Sequence, residues 1–250
     1  MSAGVLEVRD VQKSFGAVTA AKDISVSVPK GAIYSLIGSN GAGKTTFVNM
    51  VTGYIKPDSG EINFGSRNIA GLAPRLITRL GIHRSFQIAQ LCNELTVEEN
   101  MLLAGAIHHD ERPSFFRHAH SADARERAMA TLERFHIAEH RNRLIPELSG
   151  GVKKLLDIAM AMAGQTQVML LDEPTSGVAA DEKFPIMDLV IEALRAEGVT
   201  VIFVEHDMEI VTRYSERVLA FYDGQIIADD TPDEVLLDEK VQRYVTGGPA

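Results

Sequence analysis

The sequence predicts an α/β fold with a parallel sheet into which a block of helices is inserted. Short apolar patterns typical of strands alternate with amphipathic patterns typical of helices, an alternation that favours helices packed on a parallel sheet. Strand patterns lie towards both ends of the chain, whereas residues from about 74 to 165 are mostly helical in pattern. A glycine-rich segment, GSNGAGKTT at 38–46, joins an apolar strand pattern to a helix. We interpret the middle block as a helical subdomain inserted into an α/β core.

The first part of the chain shows strand patterns in three segments: 5–11, 24–38 and 60–69. The second segment is interrupted at Pro29-Lys30-Gly31, so we expect two strands there, and we expect the third segment to form a hairpin. A helix is predicted to begin at Lys44. It is expected to stop at Gly53, because glycine readily adopts the left-handed conformation that ends helices.

Capping residues mark further helix starts. Thr96 and Glu99 have the spacing of a capping box, and Ser121 can cap the helix that follows it. Between them and the chain end, strand patterns return at 167–174, 199–207 and 218–230, with a helix from about 182 to 198. The last strand pattern is a hairpin that turns at Asp223-Gly224. Thr231, with a proline next and an acid three residues on, predicts a capped C-terminal helix.

Length and composition exclude several classes of protein. The 250 residues suffice for one large domain or two small ones. A net charge of −9 argues against binding nucleic acid through general electrostatics. Cys92 is the one cysteine, so a disulfide framework is excluded and a reducing compartment is expected. The first residues lack a basic region followed by an apolar stretch, so we expect no signal peptide, and no apolar run approaches the ~18 residues of a membrane span.

The GSNGAGKTT segment fits the pattern G-x-x-x-x-G-K-[ST] and lies between a strand and a helix, the context in which this pattern binds nucleotide phosphates. Its glycines let backbone N–H groups face the phosphates, and its lysine brings a positive charge to the β and γ phosphates. The first threonine offers a hydroxyl to Mg²⁺. This context disfavours the alternative of a flexible glycine turn. The candidate phosphate-binding residues are Gly38, Ser39, Asn40, Gly41, Ala42, Gly43, Lys44, Thr45 and Thr46.

Two acids follow the apolar strand pattern of VMLLDEP. Asp172 ends that pattern, where open α/β sheets place their ligand sites, and such an aspartate helps to hold Mg²⁺ in P-loop enzymes. We interpret Glu173 as the base that activates water, although taken alone it could equally be a surface acid at a strand tip. Because neighbouring residues of a strand point to opposite faces, the two acids serve one site only if the strand ends there.

Three further segments carry candidate residues. Gln87 can orient a water through its amide, and His206 can donate to a γ-phosphate, although each taken alone is an ordinary polar or packed residue. Ser149 can cap the helix that follows it. Gly150 and Gly151 stand in the first turn of that helix, where they leave bare N–H groups at its positive end, a place that favours an anion.

The order of these motifs resembles that of the ATP-binding subunits of ABC transporters. GSNGAGKTT is similar to the Walker A segment, SFQ to the Q-loop, LSGG at 148–151 to the signature, VMLLDEP to Walker B and EHD to the switch histidine. Phe15 stands where this family stacks an aromatic ring on adenine. The resemblance covers about residues 5–247. It implies ATP and Mg²⁺ as cofactors, catalytic roles for Glu173, His206 and Gln87, and a metal site formed by Thr45, Gln87 and Asp172.

The resemblance also implies a domain organisation and a set of partners. A single domain is expected, with residues of about 1–87 and 166–230 as nucleotide-binding core, 88–165 as helical subdomain and 231–250 as C-terminal helices. The signature Ser149-Gly150-Gly151 is expected to face ATP held by a second ATPase subunit, in a heterodimer or a homodimer. The other expected partners are two permease subunits and, indirectly, a periplasmic solute-binding protein. Nucleic acid is not an expected partner. The expected location is the cytoplasmic face of the inner membrane, as a peripheral subunit.

Longer segments are most similar to the longer ATPase of branched-chain (hydrophobic) amino acid importers, among them TGYIKPDSGEI and RLGIHRSFQIAQLCNELTVEENMLLA. Relatives with the same pattern serve urea, amides or aromatic acids, and lipid or lipopolysaccharide extraction is the nearest alternative. A soluble ABC ATPase outside transport is disfavoured by the single cassette and the acidic balance. Val152 replaces the usual glutamine and Ala179 the usual Asp or Asn, so we expect a weaker half of the dimer interface.

Overall fold

The computed structural model describes residues 4–85, 90–108 and 121–247. The strands are β1 (Leu6–Phe15), β2 (Val18–Val28), β3 (Ile33–Gly38), β4 (Ser59–Phe64), β5 (Arg67–Asn68), β6 (Ile82–Ser85), β7 (Val168–Asp172), β8 (Thr200–Val204), β9 (Arg217–Tyr222) and β10 (Gln225–Asp230). The helices are α1 (Lys44–Val51), α2 (Pro74–Arg79), α3 (Val97–His108), α4 (Ala122–Arg134), α5 (Gly150–Ala161), α6 (Lys183–Ala196), α7 (Met208–Tyr214), α8 (Pro232–Leu237) and α9 (Glu239–Val241). Short 3₁₀ turns lie at Ala138–His140 and Ile145–Glu147, and a π-helical turn at Gln242–Thr246.

A six-stranded sheet in the order β10-β9-β3-β8-β7-β6 forms the centre of the molecule. Its strands from β9 to β6 run parallel, and β10 pairs antiparallel with β9. The side chains of β8 alternate between two hydrophobic clusters: Val201 and Phe203 belong to one, Ile202 and Val204 to the other. Both faces of the sheet are therefore covered, as the near-continuous apolar patterns of its strands require. The predicted α/β fold with a parallel sheet is confirmed.

The two faces of the central sheet are covered by different elements. Helices α3 to α7 contribute to the cluster on one face, and α1, α2 and a four-stranded antiparallel sheet contribute to the other. That second sheet has the order β2-β1-β4-β5. It is joined to the centre through the β9–β10 turn, because the Lys22 N–H donates to the Gly224 carbonyl at 2.8 Å and the Gly224 N–H donates to the Ala42 carbonyl at 3.0 Å. The glycine-rich loop after β3 is thereby fixed against the antiparallel sheet.

The helix starts follow their capping residues. The Thr96 N–H donates to Glu99 Oε2 at 2.8 Å and the Glu99 N–H donates to Thr96 Oγ1 at 3.2 Å, which completes the predicted capping box of α3. Ser121 Oγ accepts from the Ala124 N–H at 3.1 Å and caps α4 as predicted. The helix predicted after Thr231 is present, with Pro232 in its first turn, but its capping by the threonine side chain is wrong. The Thr231 hydroxyl donates to the Glu234 carboxylate at 2.9 Å and does not cap the backbone of α8.

The predicted helical block contains one strand that its pattern did not indicate. β6 pairs parallel with β7 along its whole length, from Ile82 opposite Val168 to Ser85 opposite Leu171. Four residues are too few to show a period, and a buried strand with polar residues looks like a loop in sequence. Of the helices described, none is long and apolar enough to span a lipid bilayer.

Candidate nucleotide site

The glycine-rich loop between β3 and α1 needs its glycines for two different reasons. Gly38, Gly41 and Gly43 have φ values of 149°, 82° and 108°, in the region that favours glycine. A Cβ on Gly38 would collide with the carbonyl oxygen of Phe221, and one on Gly43 would lie 2.6 Å from the carbonyl oxygen of Ala20. A Cβ on Gly41 would have no atom of the described residues within 4 Å. The outer two glycines thus allow close packing, and the middle one allows an open, left-handed loop whose backbone can approach a ligand.

Lys44 begins α1 and is only 6% exposed. Its Nζ donates to the carbonyl oxygen of Gly38 at 2.5 Å and to that of Ser39 at 3.1 Å, so the ammonium lies over its own loop. Burial lowers the pKa of Lys44, and the charges of Glu173 and Asp172 act in the opposite direction. A desolvated ammonium beside a loop of N–H groups matches the chemistry of nucleotide phosphates.

The two acids after the buried strand meet the condition for serving one site. β7 ends at Asp172, and Glu173 has φ 45°, which takes it out of the strand. Its N–H donates to the Val204 carbonyl at 3.0 Å. β3, β8 and β7 run parallel as neighbours in one sheet, so both acids lie at the same edge of that sheet as the loop. A positive φ is uncommon outside glycine, and such strain clusters at functional sites.

His206 follows β8, and its Nε2 lies 3.4 Å from Glu173 Oε1. The acid before it, Glu205, is buried and accepts from the Thr175 N–H at 3.0 Å and from Thr175 Oγ1 at 2.6 Å. The other oxygen of Glu205 accepts from the His206 N–H at 3.1 Å. Sequence reasoning missed Glu205, although an acid directly after an apolar strand is a signal for it. The Glu205 carboxylate thus connects the segment after Glu173 to His206 through hydrogen bonds.

Sequence reasoning also missed Arg84, which pairs with Asp172 across β6 and β7 at 2.7 Å. Gln87, the remaining candidate of that region, lies outside the described residues. Mg²⁺ in phosphate sites typically uses one or two protein oxygens together with phosphates and water. The hydroxyl of Thr45 and the carboxylate of Asp172 suit that role. Within the described ranges, no group of three or more His, Cys, Asp or Glu forms a metal site made of protein alone.

The signature segment has a packing role as well as a capping role. Ser149 Oγ accepts from the Val152 N–H at 3.3 Å and caps α5, as predicted. A Cβ on Gly150 would lie 2.7 Å from the Gly177 carbonyl oxygen, and one on Gly151 would collide with Ile186 Cδ1. The glycines are therefore required by close packing, beyond the bare N–H groups that the sequence indicates. Ser149 and Gly150 are exposed, so this helix end faces outwards.

Helix α5 is attached to the central sheet through Asp157. Ser85 Oγ donates to Asp157 Oδ2 at 2.5 Å, and the Gln90 N–H donates to Oδ1 at 3.2 Å. Burial raises the pKa of Asp157, and these hydrogen bonds oppose the rise. Lys154, one turn earlier, is also buried, and burial lowers its pKa. The charge of Asp157 opposes that fall, with smaller effects from Asp172, Glu205 and Glu173.

Phe15 ends β1 on a hairpin beside the glycine-rich loop. It is 49% exposed, and Lys13 Nζ lies 5.5 Å from its ring centroid.

The two residues that differ from the usual family pattern, Val152 and Ala179, have different surroundings. Val152 is half-buried and packs against the core cluster, whereas Ala179 is exposed.

Comparisons with known proteins agree with the motifs. Residues 21–176 match the profile of the family described as ABC transporter. The high-affinity branched-chain amino acid transport ATP-binding protein LivG of Salmonella typhimurium is 35% identical over 99% of each chain. The probable branched-chain amino acid transport ATP-binding protein LivG of Methanocaldococcus jannaschii is 34% identical over 97% of each chain.

Solved structures agree with the fold. The ADP conformation of an ATP-binding cassette of an ABC transporter is 35% identical, with a TM-score of 0.85 over 96% of this chain and 97% of that chain. A nucleotide-free ATP-binding cassette from an ABC transporter is 34% identical, with a TM-score of 0.84 over 95% of this chain and 96% of that one. The predicted resemblance is confirmed: the chain belongs to the ABC transporter family and is an ATP-binding ATPase subunit.

Proposed function

We propose that the protein is the ATP-hydrolysing, energy-coupling subunit of an importer for branched-chain or other hydrophobic amino acids, or for related small solutes. The observation that carries the hydrolysis is the convergence of Lys44, Asp172, Glu173 and His206 at the carboxyl ends of β3, β7 and β8. The names of the relatives support the solute class. Import of urea, amides or aromatic acids is the next candidate, followed by lipid or lipopolysaccharide extraction.

Each residue of the site has a proposed task. The N–H groups of the loop from Gly38 to Thr46 and the Lys44 ammonium bind the phosphates, and Phe15 stacks on the adenine. Thr45, Asp172 and Gln87 would hold Mg²⁺, which when bound supplies positive charge at the phosphates. Glu173 accepts the proton of the attacking water, because a carboxylate placed at the reacting water acts as a general base. His206 Nε2 lies 3.4 Å from Glu173 Oε1, and the N–H of this imidazole is the proposed donor to the γ-phosphate.

The exposed end of α5 is the proposed contact with a second ATPase subunit. A helix N-terminus with exposed N–H groups attracts an anion, and the γ-phosphate of ATP on the partner is such an anion. ATP would thus favour the closed pair and hydrolysis would release it, a shift of population through differential binding. The division into core residues 1–87 and 166–230, a helical subdomain at 88–165 and C-terminal helices at 231–250 belongs to the same proposal.

The block from about 88 to 110 is the proposed contact with a permease. Met101 and Leu102 of this block are buried, whereas Ile107 is 65% exposed. An exposed apolar side chain on this helix suits docking of a cytoplasmic permease helix. Peripheral attachment at the cytoplasmic face of the inner membrane follows from that docking, and a periplasmic solute-binding protein would act through the permeases.

Cysteine cross-linking tests this docking surface. In a Cys92→Ala background, Ile107→Cys is expected to cross-link to co-expressed permeases. Leu237→Cys is a matched control, since Leu237 is 75% exposed but lies on the C-terminal α8. The products are identified on denaturing gels by antibodies to each subunit. Cross-links confined to Leu237→Cys would show that the opposite face contacts the membrane subunits.

Transport in vesicles tests the solute. The subunit is reconstituted with two permeases, a second ATPase and the solute-binding protein, and uptake of labelled leucine, urea and an aromatic acid is compared. ATP-dependent uptake of leucine is expected. Uptake confined to urea or to aromatic acids would favour the next candidate, and release of lipid without uptake would contradict import.

The departures in the dimer interface predict an unequal pair of ATP sites. Val152 and Ala179 cannot make the hydrogen bonds of the polar residues they replace. Each lost neutral hydrogen bond costs about 0.5–1.5 kcal/mol, so the site that uses this signature is weakened roughly ten- to a hundredfold. Glu173→Gln should therefore lower the turnover of the pair more than Ser149→Arg does. Steady-state phosphate release measures both.

The reverse change tests the same asymmetry. Ala179→Asp together with Val152→Gln should raise turnover or ATP-driven pairing. Because Val152 packs against the core, Ala179→Asp alone is the control for packing damage. If Ser149→Arg abolishes activity while Glu173→Gln leaves most of it, the asymmetry runs the other way.

A further inference from the structure

Arg84 is a charged side chain in the interior of the molecule, and its side chain is only 9% exposed. Taking a charge out of water costs several kcal/mol, so a buried guanidinium requires partners. Two of its partners belong to different parts of the nucleotide site. Its Nη2 donates to Asp172 Oδ2 at 2.7 Å, and its Nη1 donates to Asn49 Oδ1 at 2.6 Å.

These two contacts join the end of β7 to α1. Asn49 lies on the helix that Lys44 begins, so one guanidinium connects this helix to the carboxylate at the end of β7. The donors of arginine form a rigid, planar fork. With Nη1 on Asn49, Nη2 can therefore hold Asp172 in only a narrow range of orientations. A lysine has one ammonium on a flexible stem and cannot impose the same geometry.

A third contact, on the solvent side, restricts the position of the Arg84 guanidinium. The Arg84 Cζ lies 5.9 Å from the ring centroid of Tyr54, an exposed residue after α1. An arginine over an aromatic ring gains about 0.5–1 kcal/mol at exposed sites. Tyr54 and Arg84 also line a surface cavity of about 150 Å³. The side chain thus contacts residues of α1, of β7 and of the loop after α1.

We propose that Arg84 is a positioning residue, which binds Asp172 Oδ2 so that Oδ1 is kept for Mg²⁺. The proposal rests on the function given above to Asp172. Partners that orient a metal-binding carboxylate contribute through it, and their loss typically costs 10–100-fold in metal affinity. Arg84 sets the position of the carboxylate relative to α1, and it does not contact the phosphates itself.

The test compares ATP binding with and without Mg²⁺ in the full chain. Arg84→Met removes both hydrogen bonds and keeps a long, unbranched side chain. Calorimetric titrations with ATP in EDTA and at increasing Mg²⁺ concentrations give two separate affinities. In Arg84→Met, we expect the Mg²⁺ concentration that gives half of the change in ATP affinity to rise about tenfold or more. The ATP affinity in EDTA should stay at the wild-type value. Arg84→Lys keeps the buried charge, so its requirement for Mg²⁺ should lie between those of the wild type and Arg84→Met.

Two further variants make the result decisive. Arg195→Met is the matched control, since Arg195 is an exposed arginine paired with Glu216 at 3.4 Å, and it should bind as wild type. Asp172→Asn should itself weaken the effect of Mg²⁺ on ATP affinity. Adding Arg84→Met to Asp172→Asn should weaken this effect little further.

Each outcome bears on one proposal. If Asp172→Asn leaves the Mg²⁺ effect unchanged, the role of Asp172 is wrong. If Asp172→Asn weakens it but folded Arg84→Met and Arg84→Lys titrate as wild type, the role of Arg84 alone is wrong. An equal loss of ATP affinity in EDTA and in Mg²⁺ would show that Arg84 only supports the loop, and this too would overturn the proposal. Thermal unfolding confirms that the variants are folded; if Arg84→Met is not, Arg84→Lys decides.

Discussion

Glu173→Gln is expected to lower ATP turnover by at least about 100-fold while ATP still binds, the usual scale for loss of a general base. The amide has the size of the carboxylate but cannot accept the proton of the attacking water. Phosphate release measures the turnover, and calorimetry measures the binding. Glu173 has φ 45°, and because glutamine has the same Cβ and side-chain length as glutamate, the substitution keeps the backbone geometry and changes the chemistry.

The control for this change is Glu216→Gln, which removes one carboxylate of an exposed ion pair away from the site. It should leave turnover at the wild-type rate, since exposed pairs contribute little. Near wild-type turnover in Glu173→Gln would mean that another group takes the proton, and the assignment of the base would be wrong.

Lys44→Ala has the second large expected effect, which is on binding. Hydrogen bonds to charged groups contribute about 1.5–3 kcal/mol, so loss of the ammonium should weaken ATP binding roughly ten- to a hundredfold. The substitution also leaves the carbonyl oxygens of Gly38 and Ser39 without the donor that now lies 2.5 Å and 3.1 Å from them. Calorimetry with ATP in the presence of Mg²⁺ gives the affinity.

Lys30→Ala is the matched control, because Lys30 is an exposed lysine in the turn before β3. It should bind ATP as wild type does. An unchanged affinity in Lys44→Ala, with the fold intact by circular dichroism, would contradict the phosphate-binding role of the loop.

Elements with a local chemical signal were predictable from the sequence. The Thr96–Glu99 capping box, the Ser149 cap and the turn at Asp223-Gly224 all depend on residues within a few positions of each other. β6 could not be predicted, because its strand conformation depends on pairing with β7, far away in the chain.

Some residues of the candidate site could likewise be predicted from the sequence, and others could not. Lys44, Asp172 and Glu173 were predictable because their motifs carry the chemistry in short segments. Arg84 and the buried partners of Glu205 were not, since a sequence does not show which charges are buried and which distant groups satisfy them. Arg84 meets Asp172 only because β6 and β7 are neighbours in the sheet. The roles of these residues and the division of the chain into subdomains stay predictions.

Glu205 has a consequence for local unfolding of the molecule. One buried carboxylate accepts from the N–H and hydroxyl of Thr175 and from the N–H of His206. Neither segment can open alone without leaving part of this acceptor unsatisfied, at a cost of about 1–3 kcal/mol. We therefore expect the turn after Glu173 and the turn that carries His206 to open together, although about 30 residues of chain separate them.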